Sequence, residues 1–125
     1  MRKLVLLVAA QALVLSACAS VGVTKTKEGV PKKPSNCAIQ VFTTESEVIR
    51  PFEVVCLIEY ETGRTGFHKR TSIAAVDKTK KYACKCGADA IVLMSTSTDK
   101  GNWLRGYGSG QAVVKAIRFL DQPAK

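Results

Sequence analysis

The stretch SIAAVDKTKKYACKCGADAIVLMS, residues 72–95, decides the fold because it changes from a helical to a strand pattern within a few residues. Its first part predicts a helix over 72–86, which either Thr71 or Ser72 can cap at the N-terminus. Lysines crowd the final turns, and Gly87 stands where a C-terminal glycine cap belongs. A helix that ends at a glycine and leads straight into a strand is therefore the centre of the domain.

The predicted helix has two unlike sides. At about 100° per residue, one broad apolar arc collects Ile73, Val76, Ala83 and Cys86, with Ala75, Thr79 and Tyr82 beside or within it. The opposite side collects the lysines Lys78, Lys81 and Lys85. We interpret the apolar arc as the side that packs on a sheet, and the basic stripe as a solvated face rather than a binding surface.

The sequence around the helix also contains predicted strands. These strands are expected over residues 37–43, 53–60, 88–95 and 111–120. The element order β-β-α-β-β predicts an α+β domain over 37–120, a largely antiparallel four-stranded sheet with one helix packed on it, followed by a tail at 121–125. In the second strand the apolar side chains alternate with others and belong to Val54, Cys56, Ile58 and Tyr60. Cys56 is therefore expected to face the core.

The first residues have the pattern of an export signal. Arg2 and Lys3 precede an apolar run over 4–15 that is too short to span a membrane, which takes about 20 apolar residues. The next residues complete the sequence Leu15-Ser16-Ala17-Cys18, which resembles the lipobox of bacterial lipoproteins. The resemblance implies a signal peptide over 1–17, cleavage before Cys18 and acyl chains, palmitate among them, on that cysteine. The alternative is an ordinary secreted protein with Cys18 unmodified.

The residues after Cys18 indicate where the protein is located and how the domain is linked to its anchor. Lipobox proteins carry two or three acyl chains, which makes the anchor effectively permanent. Ala19 stands where an aspartate tends to retain such proteins at the inner membrane, so we expect the outer membrane, with the domain facing the periplasm or the cell surface. Residues 18–36 are rich in lysine and show no apolar period, and they are predicted to form a flexible basic linker.

With Cys18 assigned to lipid, four cysteines remain for an oxidising compartment, Cys37, Cys56, Cys84 and Cys86. Two disulfides in three possible connectivities follow. Because residues two apart on a helix point about 200° apart, Cys84 and Cys86 should reach different partners rather than share a metal ion. We favour Cys56–Cys86, since both side chains point inward, and Cys37–Cys84, and we expect no metal site and no cofactor.

The charge and the motifs limit the functions that the chain can have. A formal net charge of +9 attracts polyanions, but export argues against nucleic acid and favours anionic lipid or lipopolysaccharide; simple solubility is the alternative. The sequence has one histidine and none of the common hydrolase, metalloprotease or phosphate-binding motifs. The Cys-x-Cys pair ends a helix, whereas thiol oxidoreductases place Cys-x-x-Cys at a helix start. We therefore predict that the protein is not an enzyme.

Two segments carry a resemblance to known families. Residues 80–93, KKYACKCGADAIVL, resemble the helix-to-strand segment of YbjQ-like domains and of Rcs stress-sensor lipoproteins of enteric bacteria. Residues 37–56, with Arg50-Pro51-Phe52-Glu53 before the second strand, are similar to the same families. The resemblance implies the α+β fold and a binding or stress-sensing role in the cell envelope. A periplasmic thiol-redox or metal-binding protein is the alternative.

The polar segment over 96–110 is predicted to be a loop that carries the candidate partner contacts. Trp103, Arg105 and Tyr107 stand there beside glycines, and aromatic residues and arginine dominate the energetics of protein interfaces. They are expected to contact an envelope protein or a glycan. In the alternative interpretation, Trp103 and Tyr107 fold back over the sheet.

Overall fold

A computed structural model describes residues 19–63, 69–102 and 106–121, with the backbone alone described at positions 106 and 107. The elements in chain order are β1 (Ser20–Lys25), β2 (Gln40–Phe42), a short 3-10 helix (Glu45–Glu47), β3 (Phe52–Glu61), α1 (Ser72–Lys85), β4 (Ala90–Asn102) and β5 (Gly106–Phe119). The α+β class with one helix on a sheet is confirmed. The predicted helix is also confirmed, with Thr71 as the cap whose side chain accepts a hydrogen bond from the Ala74 amide.

The sheet differs from the prediction in its strand number and in one direction. It has five strands in the order β1-β3-β5-β4-β2, where four were predicted. The pairs β1–β3, β3–β5 and β5–β4 are antiparallel, but β2 runs parallel to β4. Between β1 and β2 the chain crosses from one edge of the sheet to the other. The sheet is therefore mixed.

The fifth strand lies within residues 18–36, so the prediction of a flexible linker there is wrong. Ser20–Lys25 forms the edge strand β1, and its register runs from Ser20 opposite Glu61 to Lys25 opposite Cys56. A six-residue edge strand gains its stability from backbone pairing with β3. The sequence hides this because only Val21 and Val23 alternate as apolar residues.

The residues between β1 and β2 are also held against the domain. Val30 packs against the core cluster beneath α1. The Lys33 amide donates a hydrogen bond of 2.9 Å to the Cys84 carbonyl, and the Thr26 amide donates one of 3.0 Å to the Val55 carbonyl. These contacts are made by the backbone and by isolated side chains. For this reason the sequence shows no apolar period that would predict them.

The predicted polar loop over 96–110 is largely a continuation of the β4–β5 hairpin. The two strands stay paired as far as Asn102 opposite Gly106. The glycines here serve close packing: a Cβ on Gly108 would stand 1.6 Å from the Asp99 carbonyl oxygen, and one on Gly110 would stand 2.0 Å from that of Thr71. The glycines of this segment thus allow two backbones to approach closely, whereas in the sequence they had suggested a loop.

Apolar side chains fill both faces of the sheet. Beneath α1 lie two clusters, whose buried members include Cys56, Ile58, Ala83, Ile91 and Val114, together with Tyr60, Ala75 and Ala112. On the opposite face a smaller cluster of Ala90, Val92, Ile117 and Phe119 is covered by Phe42, Val48, Phe52 and Val54. The core is thus split by the sheet, and the segment between β2 and β3 covers its second part.

Two positions depart from the predicted core pattern. Ile73 is 80% exposed, because Ala75, Thr79, Ala83 and Cys84 form the buried line of α1 instead. In β3 the register shifts between Val54 and Cys56, a β-bulge that turns Val54 to the face opposite the helix. The inward position of Cys56 is confirmed, since that residue is 1% exposed.

Candidate functional site

The four cysteines of the domain form two disulfides that tie α1 to the sheet. Cys37 is joined to Cys84 with Cα atoms 5.9 Å apart, and Cys56 to Cys86 with Cα atoms 6.3 Å apart. These are the pairs that the sequence favoured. Cys84 and Cys56 are fully buried. A thiol that leaves no surface for a reaction partner suits a structural bridge better than a redox site.

The turn after α1 locks the crossing segment onto the sheet. Gly87 adopts a φ of +78°, as the predicted cap requires, and a Cβ there would stand 2.3 Å from the Pro31 carbonyl oxygen. Asp89 follows and accepts a hydrogen bond of 2.8 Å from the Phe119 amide, thirty residues away in sequence. Its second carboxylate oxygen accepts from the Lys33 ammonium. The carboxylate therefore joins three distant parts of the chain.

Ion pairs fix the end of the sheet that lies beneath this turn. The Glu53 carboxylate contacts the Lys27 ammonium and the Arg118 guanidinium. The hydrogen bond from Lys27 lowers the pKa of Glu53 below its ordinary value, and the charges of Lys27 and Arg118 act in the same direction. Arg50 stacks 4.0 Å above the Phe119 ring and donates to Asp121, which lowers the pKa of that carboxyl. These charged side chains therefore stabilise the fold by pairing with one another.

An aromatic cluster adjoins the first residue of the described chain. The Tyr60 and Tyr82 ring centroids are 6.2 Å apart, and Ala19 packs against the group that Tyr60 forms with Ala75 and Ala112. Burial raises the pKa of Tyr60, and the neighbouring Tyr82 adds to the rise. The residue that follows Cys18 in the sequence is thus part of the packed domain.

The basic stripe of the helix borders the same cluster. The Lys81 ammonium lies 4.9 Å from the Tyr82 ring centroid, and the Lys85 ammonium lies 5.6 Å from it. Both contacts are in the range of cation–π attraction. Two ammonium groups, those of Lys81 and Lys85, therefore lie close to the Tyr82 ring.

A polar trough of about 340 Å³ opens on the sheet face away from the helix. Its lining includes Ser20, Glu59, Ser95, Ser97, Gln111 and Val113. Its polar side chains are hydroxyls, an amide and carboxylates, and Val113 adds apolar surface. The Glu61 carboxylate, which also lines it, accepts a hydrogen bond of 2.9 Å from the Ser109 hydroxyl. Such a surface offers hydrogen bonds to a polar partner.

Several predicted sites lie outside the described residues. Cys18, Trp103 and Arg105 belong to this group, and of Tyr107 only the backbone is described, in β5 opposite Gly101. Within the described ranges, no three side chains of the metal-binding types are grouped to hold an ion. In the same ranges, no helix has both the length and the apolar character that a membrane crossing needs.

Comparison of the chain with protein-family models, with curated proteins and with solved structures finds no match. The arguments about its function therefore rest on the residues themselves. Sequence reasoning missed the strand β1, which begins two residues after Cys18. The signal that could have revealed it is the spacing of Val21 and Val23 on either side of Gly22, which is a period-2 pattern of minimal length.

Proposed function

We propose that this chain is an exported lipoprotein, anchored through acyl chains on Cys18, whose domain is a non-enzymatic binding or stress-sensing module of the cell envelope. The observation that carries the proposal is the junction between Cys18 and the fold. The lipobox-like cysteine is followed at once by Ala19, which packs beside Tyr60, and by strand β1. A cysteine in this place joins an anchor directly to a folded domain.

The state of the other cysteines supports an envelope location. All four are joined in pairs, and the bridges span sequence separations of 47 and 30 residues. Long-range disulfides persist in oxidising compartments such as the bacterial periplasm and are rare in the cytosol. With Ala19 after the cysteine, we place the anchor in the outer membrane.

Carboxylates that are occupied by structural ion pairs favour a binding role over a catalytic one. Glu53, Asp89 and Asp121 are each paired with a cation. For Glu53 and Asp121 the cation also lowers the pKa of the carboxyl. A catalytic acid or base instead needs a pKa near the working pH and access to a substrate. The resemblance to stress-sensor lipoproteins supplies the sensing role, and Trp103, Arg105 and Tyr107 are proposed as the partner contacts.

The anchor is tested by expressing the full chain in a bacterium and measuring the mass of its N-terminal peptide. We expect a peptide that begins at Cys18 and carries a diacylglyceryl group. Inhibition of the lipoprotein signal peptidase should leave the uncut precursor in the membrane. A Cys18→Ser variant should lose the lipid, and its two disulfides should remain. An unmodified Cys18 in the mature wild-type protein would reject the proposal.

The binding role is tested by cross-linking in intact cells with the full chain and with a Trp103→Ala variant. We expect the variant to capture less of the partner and to keep the thermal stability of the wild type. A loss of stability with unchanged capture would instead mean that Trp103 has a structural role. Ile73→Ala is the matched control, because Ile73 is also a large apolar residue and is 80% exposed.

A further inference from the structure

We infer that the domain lies directly on the anionic surface of its own bilayer, through a strip of six residues along β1 and α1. The lysine–valine strip consists of Val21, Val23, Lys25, Lys81, Tyr82 and Lys85. The inference rests on the proposed lipid anchor at Cys18 and adds the surface that the anchor brings to the membrane. The ligand is a lipid bilayer with negatively charged headgroups.

The proposed anchor at Cys18 keeps the start of the domain close to the bilayer. Ala19 packs on the Tyr60 cluster, and β1 begins at Ser20. Two extended residues span about 7 Å, so the Cα atoms of Cys18 and Ser20 are no farther apart than that. An acylated Cys18 lies at the headgroup level, because its chains are in the hydrocarbon. The start of the edge strand β1 at Ser20 is therefore held within about 7 Å of the lipidated cysteine.

The register of β1 places its valines on the helix side of the sheet. Val21 lies opposite Tyr60, and Val23 lies opposite Ile58, and cross-strand partners project from the same face. Both Tyr60 and Ile58 belong to the clusters beneath α1. Each of the two valines is still 41% exposed. They form an apolar edge beside the helix that stays partly exposed.

Lysines surround this apolar edge. Lys81 and Lys85 stand over the Tyr82 ring, and Lys25, at the end of β1, lines one shallow depression together with Lys85. All three lysines are exposed, and no ion pair between described residues involves them. One carboxylate, Glu28, lines the same depression. The local charge is therefore positive around exposed valines and a tyrosine.

This combination matches the chemistry of an anionic bilayer surface. Apolar and aromatic side chains enter the boundary between headgroups and acyl chains, and lysines around them pair with headgroup phosphates. A lysine near such a surface contributes about 1 kcal/mol, or about a fivefold change in an equilibrium. A polar protein partner would not need valines beside the anchor. Two lysines of the basic stripe, Lys81 and Lys85, thus become part of a membrane contact instead of a solvated face.

The test is lysine acetylation footprinting of the mature protein purified from bacterial membranes. The protein is placed in detergent, in phosphatidylcholine vesicles, and in vesicles that also contain phosphatidylglycerol. We expect Lys25, Lys81 and Lys85 to react about fivefold more slowly in the anionic vesicles than in detergent. Lys115, on the opposite face of the sheet, is the internal control and should keep its rate. Because Lys115 is paired with Glu45, each lysine is compared with its own rate in detergent. The same rate ratio for the strip lysines and for Lys115 would overturn the proposal.

A charge-reversal pair provides a second measurement. Lys81→Glu with Lys85→Glu should abolish the protection of Lys25 in anionic vesicles. Lys32→Glu with Lys100→Glu changes the net charge equally at exposed lysines outside the strip and should preserve it. Protection of Lys25 that survives both variant pairs would contradict the proposal. Protection seen in cells but not in vesicles would assign the strip to a protein partner and would also overturn it.

The mass of the N-terminal peptide separates this inference from the proposed function. If Cys18 carries lipid and the strip is not protected, the anchor stands and the membrane contact fails. If Cys18 is unmodified but anionic vesicles still protect the strip, the contact stands and the anchor fails.

Discussion

Gly87 lies against the backbone of Pro31, so closely that a methyl group on Gly87 would stand 2.3 Å from the Pro31 carbonyl oxygen. The contact joins the end of α1 to the segment that crosses the domain between β1 and β2. It shows that the residues which sequence analysis had assigned to a linker are packed against the rest of the fold. The same turn contains Cys86 and Asp89, which fix α1 and the crossing segment to the sheet.

Replacing Gly87 with alanine should destabilise the domain strongly. The change adds the cost of a left-handed backbone for a residue with a Cβ, about 1 to 2 kcal/mol, to a steric clash of about 1 to 3 kcal/mol. Gly29→Ala is a matched control, because Gly29 has a φ of +77° and open space around it. Urea unfolding measures both. Equal losses in the two variants would show that the clash with Pro31 is not real.

The disulfides should contribute most of the stability margin of so small a domain. In the chain-entropy model, loops of 30 and 47 residues correspond to about 3.5 and 4 kcal/mol, respectively, when each is closed alone. We expect Cys56→Ala with Cys86→Ala to lower the free energy of unfolding by about 3 to 4 kcal/mol in urea unfolding. The Cys37–Cys84 bridge should remain in that variant. In the wild-type protein, a Cys37–Cys56 bridge found after reduction and reoxidation would contradict the pairing.

Asp89 should matter more for stability than an exposed aspartate on the helix. Its carboxylate accepts from the Phe119 amide and from Lys33, and its side chain is 13% exposed. Charge-assisted hydrogen bonds of this kind contribute about 1.5 to 3 kcal/mol each, so Asp89→Ala should cost at least about 2 kcal/mol. Asp77→Ala removes a surface pair with Lys80 and should cost less than about 0.5 kcal/mol. Thermal unfolding of the two variants compares them directly.

Stability should fall in acid. The folded-state pKa values of Glu53 and Asp121 are lowered from 4.5 and 3.8 by their cations. A lowered pKa means that the unfolded chain binds protons more readily, so the stabilisation is complete above pH 4.5 and is lost as the pH falls through the folded values. Thermal midpoints measured from neutral pH downward should show this loss. Glu53→Gln should flatten the curve, and an unchanged slope would contradict the assignment.

The parts of the fold that sequence predicted are those with a strong local pattern. The helical period predicts α1, and the glycine after it predicts the cap at Gly87. The opposite directions of Cys84 and Cys86 on a helix also lead to the observed disulfides. In each case the relevant spacing lies within a few residues, so the chemistry can be read from the chain itself.

The parts that sequence did not predict depend on backbone pairing over long distances. Strand β1 has two valines as its only pattern, and its stability comes from β3, more than thirty residues away. The bulge at Val55 turns Val54 to the other face, which no alternation of side chains indicates. The proposed lysine–valine strip joins a strand to a helix that is remote in sequence. It can be recognised only when Val21 is placed opposite Tyr60, whose ring neighbours that of Tyr82.

The central claim is that the anchor at Cys18 is joined to the fold without a linker. A flexible chain over residues 19–36 would instead hold the domain about 20 to 25 Å from its anchor. Neutron reflectometry of the lipidated protein on a supported anionic bilayer measures the layer between headgroups and protein. We predict a protein layer that adjoins the headgroups, with no resolved water layer between them. A water-filled gap of about 20 Å would contradict the account.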